Sequence, residues 1–143
     1  MAGMTRSRRA RLWALFGGRK GRRRELDPTR SDLVVVAESF DDAEACSAVL
    51  ERATSFDAGA DAVLRHHLVV PAESVAIVVA IAAQDGYEPE DAGEFLILRR
   101  VQRLDALHCA QERSRMVGLA QRHDGDYRGW DALQPSGVDV QGS

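Results

Sequence analysis

Cysteine is scarce in this chain, with only Cys46 and Cys109 among 143 residues. Two cysteines allow at most one disulfide, and without CxxC spacing they exclude both a disulfide scaffold and a four-ligand zinc site; a reducing compartment is expected. Aromatic residues are few, at four Phe, two Tyr and two Trp. The strands read below offer Phe95 but no aromatic pair on a basic sheet, so the stacking platform of an RNA-recognition domain is missing. Near the start, the apolar stretch Leu12-Trp13-Ala14-Leu15-Phe16 is only five residues long. That is too short for a signal peptide or a membrane span, and basic residues follow it where a cleavage site would lie. Neither a GxxxxGK[ST] loop nor a dinucleotide glycine pattern occurs, which removes the usual phosphate cradles.

What is present is an ordinary globular composition, 45% hydrophobic and 29% charged, in a length suited to one domain with short extensions. The net charge of -3 conceals a division. Residues 1–30 carry ten Arg/Lys against two acidic residues, about +8, whereas residues 31–143 carry nine Arg against twenty Asp/Glu, about -11. The basic stretch would be drawn to RNA phosphates, to anionic lipid or to the acidic face of its own chain, and the acidic body to a basic protein surface. The organisation expected is a basic leader over 1–30, one domain over 31–134 and a tail over 135–143.

Within the body, Leu33–Ala37 is a β-branched run that reads as a strand or as the opening of the helix after it. Ser39 with Asp42 supplies a cap for a helix carrying Ala43, Cys46, Val49, Leu50 and Ala53 at helical spacing. Ala62–Val70 reads as a strand stopped by Pro71. Glu73–Gln84, almost unbroken Val, Ile and Ala, reads as a largely buried helix. A short strand near Gly86-Tyr87-Glu88 and a strong one over Glu94–Leu104 flank an acidic turn. Asp105 then caps a helix to about His123 with the stripe Cys109, Glu112/Arg113, Met116, Leu119/Ala120, and residues 126–132 form a last edge strand. A leading helix followed by β-α-β-β-α-β is α+β in class, the ferredoxin-like split βαβ plan: a four-stranded antiparallel sheet with two helices on one face.

No residue set in this pattern builds an active centre. His66 and His67 are adjacent on a strand and point to opposite faces, so they do not jointly hold a metal; His66 shares the Leu64/Leu68 face as a neutral, hydrogen-bonded core or border histidine. Cys46 and Cys109 fall on apolar helix stripes as small hydrophobes. Glu88, Glu90, Asp91 and Glu94 form a solvated turn. Tyr127 and Trp130 bracket Arg128-Gly129, either as a clasp over the helix end or as the aromatic centre of a protein-binding patch. No enzyme, cofactor or metal is expected.

Taken in order, Arg65-His66-His67-Leu68, Gly86-Tyr87-Glu88, the final helix and Asp126-Tyr127-Arg128-Gly129-Trp130 resemble the family of regulators of ribonuclease E activity of the B type, over about residues 41–132. That family has a strand ending in His-His-Leu, a long helix leading to Gly-Tyr-Glu, and a last helix followed by Tyr-Asp-Gly-Trp. Arg128 departs from it by reversing a charge. The resemblance implies a cytoplasmic, non-enzymatic protein that binds a ribonuclease E-type endoribonuclease and restrains RNA cleavage. The motif and charge pattern then assign protein contacts to His66, His67, Tyr127, Arg128 and Trp130, with Glu88, Glu90 and Asp91 as steering charges. A different class of function, an adaptor whose residues 6–24 bind RNA or anionic membrane, is the alternative.

Overall fold

The computed structural model describes residues 26–41 and 43–136, the Asp91 side chain excepted. The basic leader 6–24, the Asp42 cap and residues 137–143 lie outside the described residues. The elements are β1 (Leu33–Ser39), α1 (Cys46–Arg52), β2 (Asp61–Val69), a 3-10 turn (Ala72–Ser74) running into α2 (Val75–Ala83), β3 (Glu88–Ala92), β4 (Phe95–Arg103), α3 (Ala106–Arg122) and β5 (Asp126–Pro135). They form an α+β fold with one antiparallel five-stranded sheet in the order β1-β5-β2-β4-β3.

The four-stranded expectation is corrected by β1. The run Leu33–Ala37 is a strand that pairs along the outer side of β5, so β5 is internal rather than an edge. Ser39 ends this strand instead of capping a helix, and α1 begins only at Cys46 with no side-chain cap on Ala45. The acidic group is corrected as well: Glu88, Glu90 and Asp91 belong to strand β3, and the turn is just Gly93-Glu94, with Gly93 at φ 67° as a two-residue hairpin loop requires. Pro89 is tolerated there because β3 is an edge strand with no further ladder to donate to.

All three helices pack on one face of the sheet, over two joined clusters. Trp130, Leu64, Ala132, Val49, Cys46 and Cys109 meet under α1 and the start of α3. Leu68, Leu98, Val78, Tyr87, Met116 and Leu119 meet under α2 and the end of α3. The stripe expected on α3 is the one buried, and Asp105 accepts from the His108 amide at 2.8 Å as its cap. Helix α2 departs from expectation: of its nine apolar residues only Val78 and Ala82 are buried, and Ile77 is 50% exposed. It lies over the sheet margin beside edge strand β3, where the sheet covers a narrow stripe of it.

Among the described residues no helix lies on the opposite face. Pro28 shares a cleft there with Glu88, Arg99 and Val101, whereas Leu33 pairs with Pro135 at the far edge. Residues 28–32 therefore strap across this face to enter β1. Among the described residues no helix is long and apolar enough to cross a membrane.

Candidate functional site

The motif residues 126–130 owe their arrangement to a β-bulge. Along β2, His67 is opposite Gly129 but Leu68 is opposite Tyr127, so Arg128 is the extra residue. In a regular strand Tyr127 and Trp130 would point to opposite faces; the bulge turns both toward the helices and leaves Arg128 exposed, near Asp126 at 3.3 Å. Gly129, at φ 147°, enables this. A Cβ there would lie 2.3 Å from Phe40 Cδ1 and 2.6 Å from the Ser39 carbonyl oxygen. A cleft of about 370 Å³ sits over the bulge, lined by Phe40, Asp41, Arg113, Tyr127 and Arg128 among others.

Beneath it lies a buried polar chain. His66 has no exposed surface; its Nδ1 is 2.8 Å from the Tyr127 hydroxyl and its Nε2 3.4 Å from that of Tyr87. Tyr87 donates to Glu112 Oε1 at 2.7 Å. Because that hydroxyl spends its proton on Glu112, it accepts from His66 Nε2–H, and Nδ1 in turn accepts from Tyr127. Glu112 is met by Arg100 and Arg115, each at 3.4 Å, and the Arg100 guanidinium stacks 4.7 Å from the Tyr87 ring centre. Burial, with help from Arg100, pushes His66 down to about 3, and burial pushes both tyrosines up. A base this weak is far from the pKa useful near neutrality. The chain of hydrogen bonds gives these buried polar groups their partners.

The helix-free face holds a second network. Arg65 grips Asp131 with two bonds of 2.8 Å and reaches Glu90 at 3.1 Å. Arg99 binds Glu90 at 2.8 Å and approaches Glu88 at 3.8 Å, and His67 Nε2 is 3.4 Å from Asp131. Burial opposes ionisation of Asp131, but Arg65 and His67 outweigh it and hold the carboxyl below its usual range.

These placements divide the expected contact residues. His66 and Trp130, 0% and 1% exposed, are core residues, which corrects their assignment to a contact surface. His67, Glu88 and Glu90 share the helix-free face and Arg128 is exposed at the cleft, so they are not one patch; the Asp91 side chain lies outside the described residues. Cys46 and Cys109 are buried as expected in one cluster, and the neighbouring Cys109 thiol draws the Cys46 thiol below its ordinary range. Among the described residues no group of His, Cys, Asp and Glu is arranged to hold a metal ion.

Sequence reasoning missed an apolar opening beside α2. A groove of about 550 Å³ runs between α2 and the β3–β4 hairpin, floored by Val70, Val75, Val79, Pro89, Phe95 and Leu96 and edged by Glu90 and Glu94. It continues onto the exposed side of α2, where Ala76, Ile77, Ala80 and Ala83 face solvent and Glu73 flanks the helix entry. The signal was available in the run Val75–Ala83, apolar on every side and next to an acidic segment. Comparison with protein-family models, with curated proteins and with solved structures gives no match to this chain.

Proposed function

We propose that this chain is a cytoplasmic, non-enzymatic protein-binding regulator of a ribonuclease E-type endoribonuclease, acting by occupancy of the nuclease surface. Strands β2 to β5 run in the order β5-β2-β4-β3 with α2 and α3 between them. We read this as the ferredoxin-like unit of the resemblance, extended at one edge by β1. The observation that carries the proposal is the apolar outer side of α2 and the groove beside it, with the exposed Glu94 at the groove's edge and Glu73 at the helix entry. Apolar surface contributes binding energy by leaving water, and exposed carboxylates favour a basic, RNA-handling partner and speed encounter with it. The buried chain through His66 gives the surface a rigid base instead of a reaction.

The test is binding of the full chain to the cognate endoribonuclease at physiological salt, with RNA cleavage followed in parallel. Ile77→Lys should weaken binding at least about tenfold, the loss of one central apolar contact plus a like-charge clash, and relieve inhibition of cleavage. Unchanged binding and cleavage in that variant, or no binding by the unaltered chain, would overturn the proposal.

A further inference from the structure

We propose that the groove beside α2 is also the docking site for this chain's own basic segment, residues 6–24, so that the molecule carries a competitor for its partner. The competition rests on the function proposed above; the docking does not. Three observations lead there. The groove is apolar with Glu94 exposed at its edge and Glu73 exposed at the entry to α2, and Arg6, Arg8, Arg9 and Arg11 followed by Leu12, Trp13, Leu15 and Phe16 present the complementary chemistry, cations beside bulky apolar groups. The segment carries nine Arg/Lys and no acidic residue, about +9, against a body of about -11, so the attraction extends beyond the contact itself. The point of attachment is favourable: Pro28 lies against Glu88 and Arg99, at the first residue of the strand that walls the groove.

Reach is sufficient. The ten steps of chain from Phe16 back to Leu26 span up to about 33 Å, about twice the roughly 17 Å length of β3. A link this short presents the segment at an effective concentration on the order of millimolar, so even a contact of millimolar strength holds the groove half occupied.

The experiment uses the full chain labelled with 5-fluorotryptophan, which gives two fluorine signals, from Trp13 and Trp130. The Trp130 signal reports an intact fold. In low salt the docked Trp13 should be shielded from solvent, with a small shift between H₂O and D₂O. Val79→Lys in the groove wall, or Glu94→Lys in the exposed hairpin turn should Val79→Lys disturb the fold, is expected to expose Trp13 while leaving Trp130 in place. Raising NaCl to about 1 M, where screening acts within about 3 Å, should do the same. A Trp13 signal insensitive to these substitutions and to salt overturns the proposal. A shift that depends on protein concentration overturns it too, assigning the groove to the segment of a second copy. Leu15→Ser/Phe16→Ser should tighten nuclease binding about tenfold where the segment is docked nine-tenths of the time. The two readings fail separately: Ile77→Lys without effect on nuclease binding removes the partner site, whereas only the Trp13 signal decides the docking.

Discussion

At Gly129 the strand must take a conformation and a closeness to β1 that only hydrogen at Cα permits. Gly129→Ala would drive a methyl against Phe40 and the Ser39 carbonyl, and the backbone, unlike a side-chain tip, cannot swing aside. We expect a loss of about 2–4 kcal/mol, read from the midpoint of a denaturant titration, together with a change in Trp130 fluorescence as the bulge relaxes. His66 makes a second prediction at this scale. Its folded pKa of about 3 lies below the ordinary 6.5, so below pH 6.5 the unfolded chain binds a proton that the folded chain refuses. Its stability contribution is therefore complete above pH 6.5 and drains away as the pH falls toward 3. The slope approaches 1.4 kcal/mol per pH unit, or on the order of 2–3 kcal/mol between pH 6.5 and 4.5. Asp131 is depressed in the folded state and adds its own loss only below its ordinary value of 3.8, so the two windows separate. His66→Phe should flatten the upper window in urea titrations at stepped pH; a slope that survives the substitution belongs to another group.

Among the elements, α2 and α3 are a matched contrast. On α3 the stripe Cys109, Glu112, Met116, Leu119/Ala120 could be read directly, because polar residues mark the outer side and Asp105 marks the start. On α2 every residue is apolar, periodicity vanishes, and hydrophobicity alone suggested burial that the narrow sheet margin does not provide. Strand β3 failed for the converse reason. Glu-Pro-Glu-Asp has poor strand character, and it becomes a strand because Arg99 on the adjacent β4 and Arg65 on β2 beyond it pair with Glu90. Those are tertiary facts that no local window contains. The same limit left Leu33–Ala37 open between strand and helix, since its partner β5 lies about a hundred positions on, and hid the bulge that turns Tyr127 and Trp130 to one side. His66 was legible, since Leu64 and Leu68 alternate with it, but its links to Tyr87 and Glu112 were not. A stability measurement separates the two sides of α2. Ile77→Lys should change unfolding free energy by no more than about 0.5 kcal/mol, whereas Val78→Ala, one position along but fully buried, should cost about 1.5–3 kcal/mol.

For the whole molecule, the pairing of Cys46 with Cys109 offers a gauge of global opening. Both thiols are buried, at 2% and 1% exposure, in the cluster that joins α1, α3 and the centre of the sheet. A disulfide reagent should find neither without unfolding. With a global stability of about 5 kcal/mol, labelling should run about a thousandfold or more slower than for an exposed thiol, and both cysteines should react together in denaturant. Labelling of Cys46 alone in native buffer would show that α1 opens by itself, which the seven-residue length and uncapped start of that helix make the alternative to watch. The charge division belongs to this scale also, because it sets which molecules approach before any contact forms. A last consequence follows from the partnership of the first strand with the last. Leu33 pairs with Pro135, a separation of 102 positions, and the Ser136 amide donates to the Asp32 carbonyl oxygen. During synthesis β1 emerges well before β5 and cannot form this pairing until β5 has left the ribosome. Closure of this edge is the step with the longest loop to gather, and until then Val34, Val35 and the unpaired β1 backbone are open to whatever chaperone meets the nascent chain first.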